Sequence, residues 1–395
     1  MLGYTSTGAI ESDVARIEEL KGRLDRRGPE LLGWRIRLRR ELEAEAVAAS
    51  TSMEGVPVTV AEVVRILAGD SLSSVSPQHA ELVRGYRDAM RHAFARAEAP
   101  DFAWNPELLL ALHGMVMAAD RRAWPGRFRD AAVYVVNDRT SEVIYEAPLA
   151  QEVPKLVGEL CDFADSSELP APVVSALVHV GIARIHPFKD GNGRVGRIVA
   201  SLAMYRAGYR AMEFTTLEEW WGRHLADYYG ALRDLGPSFD AEKDVTSFVA
   251  AHVAAQRLQI EARGISSEVE RAVWVALENA AAADLSMPSR AADALFDAFF
   301  GRGLTNRYYR SIAGVSTATA ANDLVRMQVA GLLEAEGAGR SRSYAGTFRL
   351  LARVASEAGV PVLADAGASL DTQRATILRG IAELLREQRE LRSRG

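Results

Sequence analysis

The chain has 395 residues, of which 48% are hydrophobic and 25% charged, and carries a formal net charge of −5. This is a globular composition with enough apolar residues for a sizeable core, and at about 150 residues per domain it predicts two or three domains. The acidic balance excludes a molecule that binds polyanions over its whole surface and leaves only a local basic patch for that task.

The chain opens on MLGYTSTGAIESDVARIEEL, which lacks the basic and apolar regions of a signal peptide. No run of about 18 apolar residues follows anywhere, so a cytoplasmic, soluble protein without membrane contact is expected. WRIRLRRELEAEAVAASTSMEG predicts a helix from Trp34 to Met53, stopped by Gly55 and Pro57. Ser50 and Glu54 stand four apart on one of its faces, with Glu54 in a last turn where the helix dipole disfavours an acid. Helices are expected next over Ser76–Ala97 and Pro106–Met117. DAAVYVVNDRTSEVIYEAP differs: two β-rich runs, Val133–Val136 and Glu142–Tyr145, flank the turn-like NDRTS and predict a hairpin. Helices resume from Glu152. The one cysteine, Cys161, excludes a disulfide within the chain and a cysteine metal cluster. Pro172 opens a nearly all-apolar helix that ends at Ile185, a pattern that belongs in a core. A further helix is expected from Arg194 to Ala207, ended by Gly208. In the last third, SIAGVSTATAANDL has helix-turn-helix spacing with Gly314 at the turn, followed by a Gly/Arg-rich hairpin. Residues 286–350 hold eight Lys/Arg and five Asp/Glu, a net +3. A final helix over Thr372–Arg392 mixes acids with arginines and suits packing or self-association.

The segment HPFKDGNGRVGR, His186 to Arg197, gathers a histidine, an acid, a Gly-Asn-Gly and two arginines between two helices. Pro187 prevents normal continuation of the first helix. Gly191 and Gly193 allow backbone conformations that expose amide groups. Arg194 and Arg197 are expected in the first turn of the second helix, where the dipole is positive and cations are misplaced. A bound polyanion explains them, because amides, dipole and guanidinium groups converge on it. Asp190 would repel that anion unless a cation bridged the two, and Mg²⁺ binds in this way through one carboxylate and phosphate oxygens. His186, at the rim, has an ordinary pKa suited to taking a proton near neutrality. Two other readings stand beside this one. GNGRVG fits the G-x-G-x-x-G dinucleotide pattern, although no strand precedes it. A plain glycine turn with solvated charges is the other.

At these residues the chain resembles the Fic family, whose signature H-x-F-x-[DE]-G-N-G-R-x-x-R is matched at every fixed position. LHGMVM from Leu112, GRFRDAAVYV from Gly126, IYEAPLAQEVPKL from Ile144 and DYYGAL from Asp227 also look like Fic proteins. The resemblance extends from about Trp34 to Gly236. It implies a mainly α fold: a Fic-type helical core with a small β-hairpin flap. It implies transfer of AMP from ATP to a Ser, Thr or Tyr hydroxyl of a protein, with release of pyrophosphate. His186 is then the base, Asp190 the Mg²⁺ ligand, and Gly191, Asn192 and Gly193 the anion hole. Arg194 and Arg197 orient the β- and γ-phosphates, and Phe188 anchors the loop by packing. The hairpin at 132–146 becomes the flap that pairs with the target segment. Tyr228 and Tyr229 stand where a ring near the adenine is often found, although two adjacent tyrosines more simply read as one packed and one exposed. His113 and His179 match family positions but read as satisfied helix histidines.

STSMEG, Ser50 to Gly55, matches the family's inhibitory motif [ST]-x-x-x-E-[GN]. Its glutamate, here Glu54, is implied to pair with Arg197 in a bidentate fashion and to block seating of the γ-phosphate. This is the class that carries its inhibitory helix in the same chain, ahead of the core. The C-terminal unit resembles the winged helix commonly found after such a core, with Thr317–Arg326 set to enter a DNA groove and Arg340 and Arg342 to meet phosphates. A net +3, and alanines where base-reading side chains would stand, favour protein docking or dimerisation equally. The expected organisation is an N-terminal helical region (1–95), a Fic core (96–250), a winged helix (265–350) and a helical tail (351–395). The function so implied is a self-inhibited protein AMP transferase using ATP and Mg²⁺, acting on a target protein or on itself, and forming an oligomer. The alternatives are a DNA-binding regulator with a nucleotide-sensing core, or an enzyme that chiefly removes AMP.

Overall fold

The computed structural model describes residues 3–25, 32–136, 142–284, 290–337, 339, 342–362 and 367–394. The fold is mainly α, with two small antiparallel hairpins. The chain divides into two units: residues 1–28, 41–66 and 71–261 form the first, and residues 29–40, 67–70 and 262–395 the second.

In the first unit the helices are α1 (Gly8–Asp25), α2 (Leu32–Met53, of which 41–53 belong here), α3 (Val60–Leu67), α4 (Pro77–Ala97) and α5 (Pro106–Val116). Strands β1 (Tyr134–Val136) and β2 (Val143–Glu146) follow, then α6 (Val153–Ser166), α7 (Ala171–Ile185), α8 (Asn192–Arg206), α9 (Leu217–Arg223), α10 (Leu225–Arg233) and α11 (Thr246–Asp284, to residue 261 here). Local chemistry sets several starts. Ser76 caps α4 by accepting from His79 N at 3.1 Å, and Asn105 caps α5 by accepting from Leu108 N at 2.8 Å, each before a proline at the first helical position. Helix α7 is buried along nearly its whole length, as its apolar sequence requires, and packs on α8 in the centre of the unit. Ile17, Val173, Leu177, Phe214, Phe248 and Val253 belong to the same core.

β1 and β2 pair with Tyr134 opposite Glu146 and Val135 opposite Tyr145, and a bulge shifts the register after Val135. The turn residues 137–141 lie outside the described residues. Tyr134, Val136 and Val143 are exposed, so this hairpin presents apolar side chains to solvent. The Tyr145 hydroxyl ties it to α7 by donating to Arg184 O at 2.6 Å.

The second unit contains the first residues of α2, the end of α11, α12 (Ala291–Phe299), α13 (Asn306–Ala313), α14 (Thr317–Val329), β3 (Leu333–Glu336), β4 (Ser343–Gly346), α15 (Phe348–Ala358) and α16 (Leu370–Arg394). Its core packs Trp34, Trp274 and Phe296 together with their rings tilted against one another. Within it Asp297, fully buried, accepts from Arg37 at 2.5 Å, Arg302 at 3.0 Å and the Tyr308 hydroxyl at 2.7 Å, which hold its carboxyl down at about 2 against the upward push of burial. Gly314, at a φ of 64°, makes the turn between α13 and α14, and Ser316 caps α14. Val325 and Val329 are exposed on α14, at 47% and 83%, beside Ala318 and Ala321, so much of its outward side is small or apolar. Arg340, expected to meet phosphates, lies outside the described residues. Arg342 lies over the Tyr344 ring. No helix among the described residues is long and apolar enough to cross a membrane.

Candidate active site

The loop between α7 and α8 is built before any ligand arrives. His186 caps α7 in the left-handed region, at φ 50° and ψ 57°, with its amide donating to Ile182 O at 2.9 Å. A non-glycine residue held there is strained and needs support. Arg129 supplies much of it. Its side chain is buried and donates to backbone carbonyls: His186 O at 2.8 Å, Ala131 O at 3.0 Å, Pro148 O at 2.6 Å and Ile185 O at 3.4 Å. Its own amide adds a bond to Pro187 O at 3.0 Å. Phe188 is fully buried and stacks on His113, with ring centroids 3.9 Å apart.

His113 has more to do than fill a helix position. Gly126 N donates to its Nδ1 at 3.1 Å, so the ring proton sits on Nε2 and is donated to Asp190 O at 3.0 Å. Burial drives its pKa down to about 4, which keeps this neutral tautomer in place at neutral pH. The sequence singled out neither this bond nor Arg129. Both use backbone partners, which leave no mark in residue identity; the one signal was that both fall in segments quoted for the family resemblance.

Helix α8 begins at Asn192 rather than Arg194. The cause is the Asn192 side chain, which accepts from Phe188 N and donates to Phe188 O, both at 2.9 Å, and so folds the loop onto the helix start. Gly191 caps the helix at φ 83°; a Cβ there would also meet Met117 Sδ at 2.9 Å. Arg194 therefore lies in the first turn and Arg197 one turn deeper, a correction to their expected placement together. The Gly191 amide is taken by Asp190 Oδ1 at 2.5 Å. Beyond it, the amides of Asn192, Gly193 and Arg194 have no intrahelical carbonyl to meet, which makes this terminus an anion site.

Two features sharpen that reading. Arg194 is 4% exposed, its Nη2 reaches Asp190 Oδ1 at 3.3 Å, and its Nε is buried with no hydrogen-bond partner. Glu54 brings a carboxylate to the same place. Its Oε1 accepts from Arg197 Nη2 at 2.8 Å and lies 2.5 Å from where a Cβ on Gly193 would stand. Any side chain at position 193 would expel it. Burial alone would raise the Glu54 carboxyl, but the charges of Arg197 and Arg194 and the Arg197 hydrogen bond hold it below its ordinary range. Arg197 is 2% exposed; burial pushes its pKa down, but Glu54, Tyr228 and Tyr86 together raise it above its ordinary value.

The Glu54–Arg197 pair is monodentate, where a bidentate pair was expected. Arg197 Nε is occupied instead by Ser50 Oγ at 2.8 Å, and Nη2 also reaches Ser50 O at 3.2 Å. Nor does Glu54 lie in the last turn of α2. Val56 N donates to Thr51 O and Gly55 N to Ser52 O, both at 3.1 Å, which makes Glu54 the C-cap of a Schellman motif with Gly55 following at φ 78°. The Gly or Asn that the motif allows after its glutamate are the two residues most at ease in that conformation.

His186 Nδ1 faces Ala183 O at 3.3 Å, and a carbonyl can only accept, so Nδ1 carries the proton and Nε2 is left with a free lone pair. Burial, and to a lesser degree the Arg129 charge, lowers its pKa below the ordinary value, against the upward effects of the Ala183 carbonyl, Glu54 and Asp190. The ring is thus neutral and basic at neutral pH. Tyr228 is buried and Tyr229 half exposed. The Tyr228 hydroxyl meets His179 Nε2 at 3.2 Å, and His179 Nδ1 meets His252 Nε2 at 3.2 Å. His179 is a satisfied core histidine, buried by this chain. Among the described residues no cluster of three His, Cys, Asp or Glu could hold a metal by itself. Asp190 offers a single half-exposed carboxylate, which fits a Mg²⁺ ion only when nucleotide phosphates complete its shell.

Such a loop, locked by an asparagine and opening onto a helix terminus, is that of the Fic fold. Residues 103–204 match the Fic/DOC family model and constitute a Fic/DOC family domain. Over 104 residues the chain is 28% identical to the protein adenylyltransferase Fic of Nematostella vectensis, a match covering 26% of this chain and 23% of that relative. Among solved structures, a Fic family protein from Desulfovibrio desulfuricans G20 is similar over 88% of this chain and 98% of its own, with 25% identity and a TM-score of 0.57. A Fic domain-containing signaling protein from Bacteroides thetaiotaomicron VPI-5482 shares the fold over 66% of this chain and 96% of its own, at 17% identity and a TM-score of 0.53. Ser50 and Glu54 precede the segment matched by the family model.

Proposed function

We propose that the protein transfers AMP from ATP to a hydroxyl of a target protein, or of itself, and that the resting form is held off by Glu54. The observation that carries this reading is the Glu54 carboxylate seated between Gly193 and Arg197 at the start of α8. The protein places its own anion where the terminal phosphates of ATP would lie. The unpartnered Nε of Arg194 beside it supports a phosphate oxygen as the missing acceptor. The family domain and the name of the Nematostella relative support the same reaction.

In this mechanism the target hydroxyl oxygen forms a bond to the α-phosphorus as the bond from that phosphorus to the bridging oxygen of pyrophosphate breaks. The hydroxyl proton passes to Nε2 of His186, whose Nδ1–H is fixed on Ala183 O. Amides of α8 and the guanidinium groups of Arg194 and Arg197 hold the phosphates in line. Asp190 would hold Mg²⁺ together with the phosphates, and the ion, when bound, supplies charge neutralisation on their oxygens. The exposed β1–β2 hairpin suits pairing with an extended target segment that carries the hydroxyl. Glu54 on Arg197 leaves ATP without its terminal anchor, so the α-phosphorus is not aligned.

The test is incorporation of label from ATP radioactive at the α-phosphate, with lysate protein as acceptor. His186→Ala, in a Glu54→Gly background, is expected to bind ATP and to lose about 10²- to 10⁴-fold in transfer. Undiminished transfer by that variant would remove His186 as the base. The DNA-regulator reading is the weaker one, since α14 exposes Ala318, Ala321, Val325 and Val329 beside Asn322 and Arg326, a surface more apolar than a groove-reading helix needs.

A further inference from the structure

The last four carbonyls of a helix have no partner within it. At the end of α7, which presents His186, each of them is taken. Ile182 O accepts from the His186 amide at 2.9 Å, and Ala183 O faces His186 Nδ1 at 3.3 Å. Arg184 O accepts from the Tyr145 hydroxyl at 2.6 Å, and Ile185 O from Arg129 Nη2 at 3.4 Å. His186 O, the next along, accepts from Arg129 Nε at 2.8 Å. The helix end is therefore closed partly by the histidine itself and partly by side chains that belong to the hairpin: Tyr145 stands on β2, and Arg129 lies just ahead of β1. The same guanidinium holds both feet of the hairpin, Ala131 O before β1 at 3.0 Å and Pro148 O after β2 at 2.6 Å.

We propose that Arg129 and Tyr145 are positioning residues for the acceptor side of AMP transfer: they fasten the hairpin to the C-terminal end of α7, so that a target segment paired with the hairpin is held in register with the His186 ring. The inference rests on the reading of His186 as the base and of the hairpin as the place where the target pairs. Its physical basis is the choice of an arginine. Arg129 is 3% exposed, and its side-chain acceptors are all backbone carbonyls. A cation is favoured there because it lies at the negative end of the α7 dipole. Only a guanidinium has enough donors, in a rigid fork, to reach carbonyls of three separate segments at once; a lysine could satisfy far fewer and would fix no angle between them. The payoff is geometric. A proton passes from hydroxyl to base only when the two are within hydrogen-bond reach, and a misplacement of about 1 Å can cost about 10²-fold in rate. With the base and the feet of the hairpin on one side chain, the distance between acceptor and base does not depend on how the nucleotide is held.

The test uses the full chain carrying Glu54→Gly, with Tyr145→Phe or Arg129→Lys added. Initial transfer of label from α-labelled ATP to lysate protein, at saturating ATP, is expected to fall about tenfold with Tyr145→Phe and about a hundredfold with Arg129→Lys. Calorimetric affinity for ATP with Mg²⁺ should be unchanged in both, since neither side chain bonds α8. A role in folding alone would weaken ATP binding along with transfer, so parallel losses would overturn the proposal, as would undiminished transfer in both variants. If Arg129→Lys does not fold, Tyr145→Phe, which removes one hydroxyl, decides alone. A Glu54→Gly protein that labels nothing would remove the reaction but not the bracket, which is then read from the ring-nitrogen resonances of isotope-labelled His186, assigned with His186→Ala. The ring should carry its proton on Nδ1 in the parent and mix both tautomers in Arg129→Lys; an unchanged signal would overturn the proposal.

Discussion

Glu54→Gly removes one carboxylate from the start of α8. In the structure that carboxylate accepts a single charge-assisted bond from Arg197, a contact typically worth about 1.5–3 kcal/mol. Losing one partner of a buried ion pair usually costs about 3–5 kcal/mol of stability because a charge is stranded. Here the loss should be nearer the lower contact value. Arg197 keeps Ser50 Oγ and Ser50 O, and Glu54 belongs to a cap rather than to a core position. The same contact opposes seating of the terminal phosphate, so its removal should favour productive ATP by a similar amount. At 1.36 kcal/mol per tenfold, transfer should rise about 10- to 100-fold. Initial rates of label incorporation from α-labelled ATP, at equal enzyme and saturating acceptor, measure this directly, with circular dichroism to confirm the fold. A folded Glu54→Gly protein that is no faster than the parent would refute the inhibitory role and, with it, the reading of the carboxylate as a phosphate stand-in.

Gly55→Ala places a Cβ at φ 78° and should cost about 1 kcal/mol through strain in the cap, loosening Glu54 and raising transfer a few-fold, with a lower unfolding midpoint; a faster enzyme of unchanged stability would argue against a strained cap. Burial pushes His113 down to about 4 and His252 down to about 3, against about 6.5 in the unfolded chain. Between those values the unfolded chain binds more protons, so stability is full above pH 6.5 and falls as pH drops toward the folded values. The slope is about 1.4 kcal/mol per pH unit for each group, or about 4 kcal/mol for the two between pH 6.5 and 5. Urea unfolding at pH 7 and pH 5 should show this loss, and His252→Gln should reduce it; an identical loss in that variant would contradict the assignment.

The loop was legible because its chemistry is crowded into twelve residues whose types conflict with their helix positions unless an anion is present. The helical character of the chain was legible from spacing, and proline and capping residues fixed the starts of α4 and α5 to within a residue. The start of α8 was misplaced by two residues because glycine and asparagine read as a turn, whereas the Asn192 side chain closes on Phe188 and recruits both into the helix end. Glu54 was placed on the helix rather than on its cap for a related reason: a Schellman motif is made of backbone bonds, and only Gly55 hints at it. Tyr145 and Arg129 grip carbonyls far from them in the sequence, so neither has a local pattern to read.

Under the proposed role of Glu54, the cap would also set the timescale of inhibition. Glu54 hangs on a turn closed by two backbone bonds at 3.1 Å, and opening such a turn is a local fluctuation that runs in about nanoseconds to microseconds. Typical enzyme turnover takes about a millisecond to a second. Between successive reactions the carboxylate would leave and return many thousands of times. Inhibition of this kind behaves as a rheostat and not as a latch: the output follows the fraction of time the arginine is free. A change at the cap of 1.36 kcal/mol, well within the range of one new surface contact on α2, would then scale the rate tenfold without rearranging a single helix.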